Sequence, residues 1–174
     1  GRLSLQNAEV TLNTKTPFME SNINSWVAPG KNVWCFQVKS KSLAPLNDGT
    51  RIRISLERWG SRAFPGWYGY FSKDTKSGIG NTKSLVNSND LVLEETFEAC
   101  RVLGEETVPE IVSSNRLELN STNKRSDRDI TLIVSLVTSN ESENPTKSAI
   151  QLLDDFEKQS VKKEKEAHQL WWEN

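Results

Sequence analysis

Aromatic rings and guanidinium groups are concentrated in one short segment of this 174-residue chain. Residues 57–71 read ERWGSRAFPGWYGYF, and two further arginines precede them in a segment with strand-like alternation. Flat rings flanked by arginines are the groups with which proteins stack on bases and neutralise the phosphates of single-stranded nucleic acid. The residues predicted to bind RNA in this way are Arg51, Arg53, Arg58, Arg62, Trp67 and Tyr70.

The same rings also have a purely structural interpretation. Large aromatic side chains are usually core or near-core, so Phe64, Trp67 and Phe71 would close one end of a sandwich or barrel. Tyr68 and Tyr70 would then cover its edge. A further alternative is a β-sandwich adaptor that binds a peptide or a sugar through this aromatic run. The sequence is compatible with all of these interpretations.

The sequence lacks the parts of the common catalytic and metal sites. Its one histidine is His168, and its two cysteines, Cys35 and Cys100, are far apart. Zinc sites and Cys/His catalysis need more such groups at close spacing. We therefore expect a protein that is not an enzyme and that has no metal and no cofactor. We expect His168 at the surface and both cysteines reduced and buried.

Composition and charge narrow the class of protein. Charged residues make up 26% of the chain and hydrophobic residues 35%, which is typical of a folded domain. The net charge is −1, so a polyanion would need a local basic patch, such as the excess of lysine and arginine over residues 51–83. No apolar run has the length of a membrane span, and we expect an intracellular protein.

Segments of alternating polarity predict that most of the chain forms β-strands. Residues 33–39 and 51–57 alternate, and the Asp48-Gly49 turn signal between them predicts a hairpin. Residues 130–137 are apolar on both faces, which is typical of a central strand. Further strands are predicted around Leu3/Leu5, around Val10/Leu12, and at residues 116–119, which we expect to pair with 130–137.

Two segments have helical rather than strand periodicity. Ser88-Asn-Asp90 is a capping run, and the apolar stripe after it, ending at Gly104, predicts an amphipathic helix over residues 90–103 that packs on the sheet. Asn144-Pro145 predicts the start of a second helix, with asparagine as cap and proline in the first turn. Its apolar stripe consists of Ile150, Leu153 and Phe156.

The end of the chain is predicted to be a helical tail. A polar link at residues 138–144 separates a β-rich body, residues 1–138, from this tail, residues 139–174. Within the tail, KKEKE at residues 162–166 is charged all round and must be solvated, yet a Leu-Trp-Trp run follows it. Large apolar side chains seldom remain in water, so we expect an assembly arm that reaches a neighbouring subunit. The residues predicted to form that contact are Ile150, Leu153, Phe156, Leu170, Trp171 and Trp172.

The order of these landmarks resembles the core of the plant-virus movement proteins of the 30K superfamily. Gly49-x-x-Ile-x-Ile-x-Leu56, followed by Glu57-Arg58, is similar to that family's glycine-led strand with an acidic-then-basic end. Asp90 corresponds to the family's central aspartate at the start of a helix. Leu117-Glu-Leu119 and the apolar strand after it are similar to the family's last strands, so the resemblance covers residues 45–137.

The resemblance implies a β-rich fold, self-association, contact with nucleic acid and no catalysis. We expect a mainly β (α+β) protein, an antiparallel β-sandwich or flattened barrel with one packed amphipathic helix and a C-terminal helical tail. The predicted function is that of a viral structural or movement-type protein that forms homo-oligomers and contacts single-stranded RNA in the host cytoplasm. A viral matrix or coat protein without direct RNA contact remains an alternative, as does the peptide- or sugar-binding adaptor.

Overall fold

The computed structural model describes residues 1–4, 8–43, 50–57, 67–84, 95–113 and 116–173, with the backbone alone for 67–70, 81–84 and 95–98. Strands make up most of this part of the chain, and two helices follow them. The strands are β1 (Arg2–Ser4), β2 (Glu9–Lys15), β3 (Met19–Ala28), β4 (Val33–Ser42), β5 (Arg53–Glu57), β6 (Trp67–Lys73), β7 (Gly78–Ser84), β8 (Glu95–Leu103), β9 (Thr107–Ser113), β10 (Arg116–Ser121) and β11 (Asp127–Thr138). The helices are α1 (Pro145–Glu157) and α2 (Val161–Glu173).

The strands form two antiparallel sheets. The large sheet has eight strands in the order β1-β2-β3-β4-β11-β8-β7-β6, and the small sheet has three in the order β5-β10-β9. The mainly β, antiparallel α+β fold expected from the sequence is therefore confirmed. No helix in the described part of the chain is long and apolar enough to span a membrane.

Apolar side chains fill the space between the two sheets. Leu117 and Leu119 of the small sheet are fully buried against Cys100 and Val102 of the large sheet. The alternation predicted for residues 51–57 is confirmed, because Ile54 and its apolar neighbours on β5 pack into this core while the residues between them are exposed.

The helices cover the opposite face of the large sheet and enclose a second core. Leu153 and Phe156 of α1 are fully buried against Trp26, Val33 and Ile133 of the sheet. The predicted start of this helix is confirmed, since the side chain of Asn144 accepts a hydrogen bond from the Lys147 amide and Pro145 occupies the first turn. The helix thus shares a core with the strands.

Strand β11 lies at the centre of the large sheet, between β4 and β8, as its two apolar faces predicted. Ile130 faces the small sheet, whereas Ile133 and Val137 face the helices. The two cysteines lie on either side of the same sheet, Cys35 towards the helices and Cys100 towards the small sheet, and both are reduced and buried as expected.

The helix predicted over residues 90–103 is wrong where the structure describes it. Residues 95–103 form β8, which pairs with β7 on one side and with β11 on the other. Ala99 is buried under the helices, and Cys100 and Val102 are buried under the small sheet. A strand buried on both faces loses its polar/apolar alternation and can imitate helical spacing. Residues 90–94 lie outside the described residues.

Two predicted strand pairings are also wrong. Strand β4 pairs with β3 and β11, which leaves it no free edge for β5. Strand β5 pairs instead with β10, where Leu56 lies opposite Leu117. Strands β10 and β11 belong to different sheets and do not pair. Each strand was recognised by its alternation, but alternation does not specify the partner.

The charged segment of α2 is not fully solvated, and His168 is not at the surface. Glu164 is 4% exposed, and its carboxylate lies 2.5 Å from the ammonium of Lys31. His168, one turn later, is 1% exposed, and its Nδ1 lies 2.9 Å from the carbonyl oxygen of Val27. A carbonyl only accepts hydrogen bonds, so Nδ1 carries the proton. These two polar side chains bind α2 to the sheet.

Candidate functional site

An open groove of about 830 Å³ lies between edge strand β5 and the part of the large sheet that the small sheet leaves uncovered. Its floor comes from β3, β4 and β11, where register places Val27 and Val134 on either side of Trp34. Period-two alternation gives all these side chains one common face. The apolar residues that line the groove are Val27, Trp34, Phe36, Ile54, Leu56, Phe71, Leu132, Val134 and Leu136.

Trp34 is the largest ring in this groove, and its orientation is set by two contacts. Its Nε1 donates a hydrogen bond of 2.6 Å to Oγ of Ser25 on the neighbouring strand. The ring of Phe36 lies beside it, with centroids 4.6 Å apart and planes inclined by 37°. Trp34 is nevertheless 50% exposed. A half-exposed indole that is held in place can contact a ligand without losing much side-chain entropy.

One end of the groove carries a hydrogen-bonded carboxylate. Glu141 accepts hydrogen bonds from the backbone amide of Thr138 at 2.8 Å and from Nδ2 of Asn32 at 3.1 Å. The hydrogen bonds from Thr138, with a smaller contribution from Asn32, lower the pKa of Glu141. The group is therefore an ionised acceptor at neutral pH, and Asn32 and Thr138 also line the groove.

The charged residues that line the groove are acidic. Its lining includes Glu57 and Glu141 but, among the residues that the structure describes, neither lysine nor arginine. Glu57 lies 3.5 Å from Arg116, which compensates part of its charge. Such a groove does not attract the phosphates of a polyanion, and its carboxylates can accept hydrogen bonds from the hydroxyl groups of a neutral ligand.

The structure describes the side chains of only two of the six residues predicted to bind RNA, Arg51 and Arg53. Arg51 is exposed, and Nε of the exposed Arg53 lies 3.2 Å from the buried carboxylate of Glu118. Arg58 and Arg62 lie outside the described residues. Trp67 and Tyr70 are in β6, where the structure describes their backbone alone. Contact between these six residues and RNA stays a prediction.

The six residues predicted to form an assembly contact divide into two groups. Leu153 and Phe156 are buried in the chain's own core, and Ile150 packs against that core. These three side chains therefore pack within one copy of the chain. The other three are exposed on α2, and self-association through them stays a prediction: Leu170, Trp171 and Trp172.

The sequence contained one signal for the groove. The alternation of residues 33–39 places Trp34 and Phe36 on one face, as expected from sequence, but that pattern is the same for a core face and for a ligand-binding face. Trp34 becomes a candidate binding residue only because the small sheet stops short of it. Glu141, in a polar link after β11, had no sequence pattern that pointed to the groove.

Comparison with known proteins identifies the fold but not a family. No protein-family model and no curated protein matches the chain. A protein assigned as a kojibiose phosphorylase from the human microbiome has a similar structure, with a TM-score of 0.70 and 14% sequence identity over 98% of this chain and 24% of that chain. This chain thus spans about a quarter of that protein's length. At this identity the likeness shows the fold alone.

A second solved structure aligns more loosely. It is a family GH92 α-mannosidase from Bacteroides thetaiotaomicron in complex with mannoimidazole, with a TM-score of 0.37 and 8% identity over 95% of this chain and 21% of that chain. A TM-score this low carries no argument about the present chain.

Proposed function

We propose that this chain is a non-catalytic β-sandwich module that binds a carbohydrate in the groove lined by Trp34. The observation that carries the proposal is the half-exposed indole of Trp34, held by Ser25 and Phe36 in an open groove whose charged lining is acidic. Sugar rings present both apolar C–H faces and hydroxyl groups. A ligand site for them needs an aromatic surface with a few polar groups at its rim.

The polar rim supplies the second requirement. Glu141 keeps lone pairs beyond those used by Thr138 and Asn32, and a carboxylate is an acceptor for hydroxyl donors. A sugar ring lying on Trp34 would therefore find hydrogen-bonding groups at the groove's edges and no basic group that requires an anionic partner.

The structural likeness supports the same class of ligand. The protein with the TM-score of 0.70 is assigned as a phosphorylase of the sugar kojibiose, and the fold of this chain corresponds to about a quarter of it. We further propose that the module is an accessory unit of a larger carbohydrate-active protein. It would bind saccharide for that protein without catalysing a reaction itself.

Titration with neutral oligosaccharides tests the proposal. A panel of gluco- and manno-oligosaccharides is added to the full chain, and binding is followed by calorimetry and by tryptophan fluorescence. We expect saturable binding by at least one member and a loss of roughly tenfold or more in affinity in Trp34→Ala, as for an aromatic anchor. Trp172→Ala, on α2, is the matched control and should bind normally. A wild-type chain that binds no member of the panel would overturn the proposal.

A further inference from the structure

Helix α2 presents an apolar surface that the carbohydrate groove does not use. Leu170, Trp171 and Trp172 are 60%, 57% and 47% exposed. The two indole rings meet edge to face, with centroids 4.8 Å apart and an angle of 82° between their planes. Perpendicular rings offer no flat platform for a sugar. Adjacent exposed tryptophans beside leucine are instead typical of a contact between proteins.

The orientation of this surface is set by the buried side of α2. Glu164 contacts Lys31, His168 contacts the carbonyl of Val27, and Lys165 lies 3.4 Å from Glu9. These contacts fix which side of the helix faces outward. A surface held in this way can bind a partner without first ordering the helix, which lowers the entropic cost of association.

The two ends of the outward side of α2 carry side chains of different chemistry. Lys162 and Lys163 are exposed in its first turn, Ala167 is exposed at its middle, and Trp171 is exposed one turn after Ala167. Lys163 and Trp171 are each four residues from Ala167, so all three lie along one stripe of the helix. The stripe therefore runs from a cation, through a small residue, to an aromatic ring.

We propose that two copies of this chain associate through antiparallel pairing of their α2 helices, crossing at Ala167. In that arrangement Lys163 of each copy lies beside Trp171 of the other, where an ammonium group and an indole ring attract each other. Parallel pairing would place lysine against lysine, and a small residue at the crossing point lets the helices approach closely. The binding partner of this surface is thus a second copy of the chain.

Sedimentation of the full chain measures the association. We expect a species of twice the 19.7 kDa chain mass that dissociates on dilution. Trp171→Ala removes the ring that faces Lys163 of the other copy, and it should raise the dimer dissociation constant roughly tenfold or more. Lys163→Glu should also weaken the dimer, because it replaces the cation that faces Trp171. A wild-type chain that is monomeric at every concentration, or a dimer that neither variant weakens, would overturn the inference.

Disulfide cross-linking tests the geometry independently of the tryptophans. Ala167→Cys places the two introduced thiols at the crossing point, close enough to bond on mild oxidation. The native cysteines, Cys35 and Cys100, are buried and do not compete. Lys147→Cys, exposed on α1, is the control and should not cross-link. Cross-linking through residue 147 but not through 167 would show that another surface pairs. Saccharide binding by Trp34 is a separate measurement, so either proposal can fail alone.

Discussion

The guanidinium of Arg101 on β8 donates a hydrogen bond of 2.8 Å from Nη1 to Oδ1 of Asp154 on α1. Nη1 also lies 2.6 Å from Oε2 of Glu157, and Nε donates to the hydroxyl of Ser77 at 3.0 Å. Burial alone would lower the pKa of Arg101, but the hydrogen bonds and charges of Asp154 and Glu157 outweigh burial and raise it. One side chain thus joins the large sheet to the first helix.

Replacing Arg101 tests how much this junction stabilises the fold. Arg101→Met should lower the free energy of unfolding by about 2 kcal/mol, because it removes charged hydrogen bonds from a 5%-exposed group. The carboxylates are 43% and 40% exposed, and water therefore screens part of the interaction. Urea unfolding measures the change. The exposed pair of Lys158 and Asp155 is the matched control, and Lys158→Met should not shift the midpoint.

The first helix is expected to be part of the folding unit. Leu153 is 0% exposed, so Leu153→Ala should cost about 3 kcal/mol through lost burial and the cavity left behind. Gln151→Ala, exposed on the same helix, should change stability little. Both are measured by thermal and urea unfolding. Equal effects of the two substitutions would contradict the packing of α1 on the sheet.

If residues 139–174 were a separate tail, deletion of residues 141–174 would leave a folded body. The packing of α1 on the sheet leads us to expect a different outcome. The deletion removes the side chains of Leu153 and Phe156 from the core and exposes Trp26, Val33 and Ile133. We expect the shortened chain to lose cooperative unfolding and to bind hydrophobic dyes. A shortened chain that unfolds as cooperatively as the full one would support the division into a body and a tail.

The buried thiol of Cys35 should make the folded chain less stable at alkaline pH. Burial, followed by the negative charge of Glu164, raises the pKa of Cys35 to about 12. The unfolded chain releases this proton near pH 9 and the folded chain retains it, so the stabilising contribution is complete below pH 9. This contribution to the free energy of unfolding should fall by about 1.4 kcal/mol per pH unit between the two pKa values.

Cys35→Ala isolates this contribution. The difference in unfolding free energy between wild type and variant should be constant up to about pH 9 and shrink above it, because only the wild type has the buried thiol. Lysine titration is common to both proteins and cancels in the comparison. A difference that is independent of pH up to 11 would show that the thiol is not shielded from water.

Retention of single-stranded RNA distinguishes the sequence-based function from the carbohydrate proposal. RNA bound by the predicted arginines should be released steeply as salt rises, and Arg53→Glu with Arg62→Glu should abolish binding. Because Arg53 is paired with Glu118, and the groove is acidic, we expect no such retention. Salt-sensitive retention that the double variant loses would restore the RNA hypothesis.

Local features of the sequence determined the elements that depend on local physics. Alternation specified β4, β5 and β11, and the Asn144-Pro145 cap specified the start of α1, since side-chain period and capping act within a few residues. The apolar stripe of Leu153 and Phe156 likewise marked the buried side of the helix. These predictions needed no knowledge of which strand lies next to which.

Only the tertiary structure decided which strands pair and which apolar faces stay open. Strand β8 is buried on both faces, which removed the alternation that would have identified it. His168 and Glu164 are charged or polar in sequence but become buried because Val27 and Lys31, far away along the chain, supply their partners. Trp34 has the pattern of a core residue and is exposed because the small sheet ends before it. Such long-range contacts are set by the packing of whole sheets, which no short window of sequence contains.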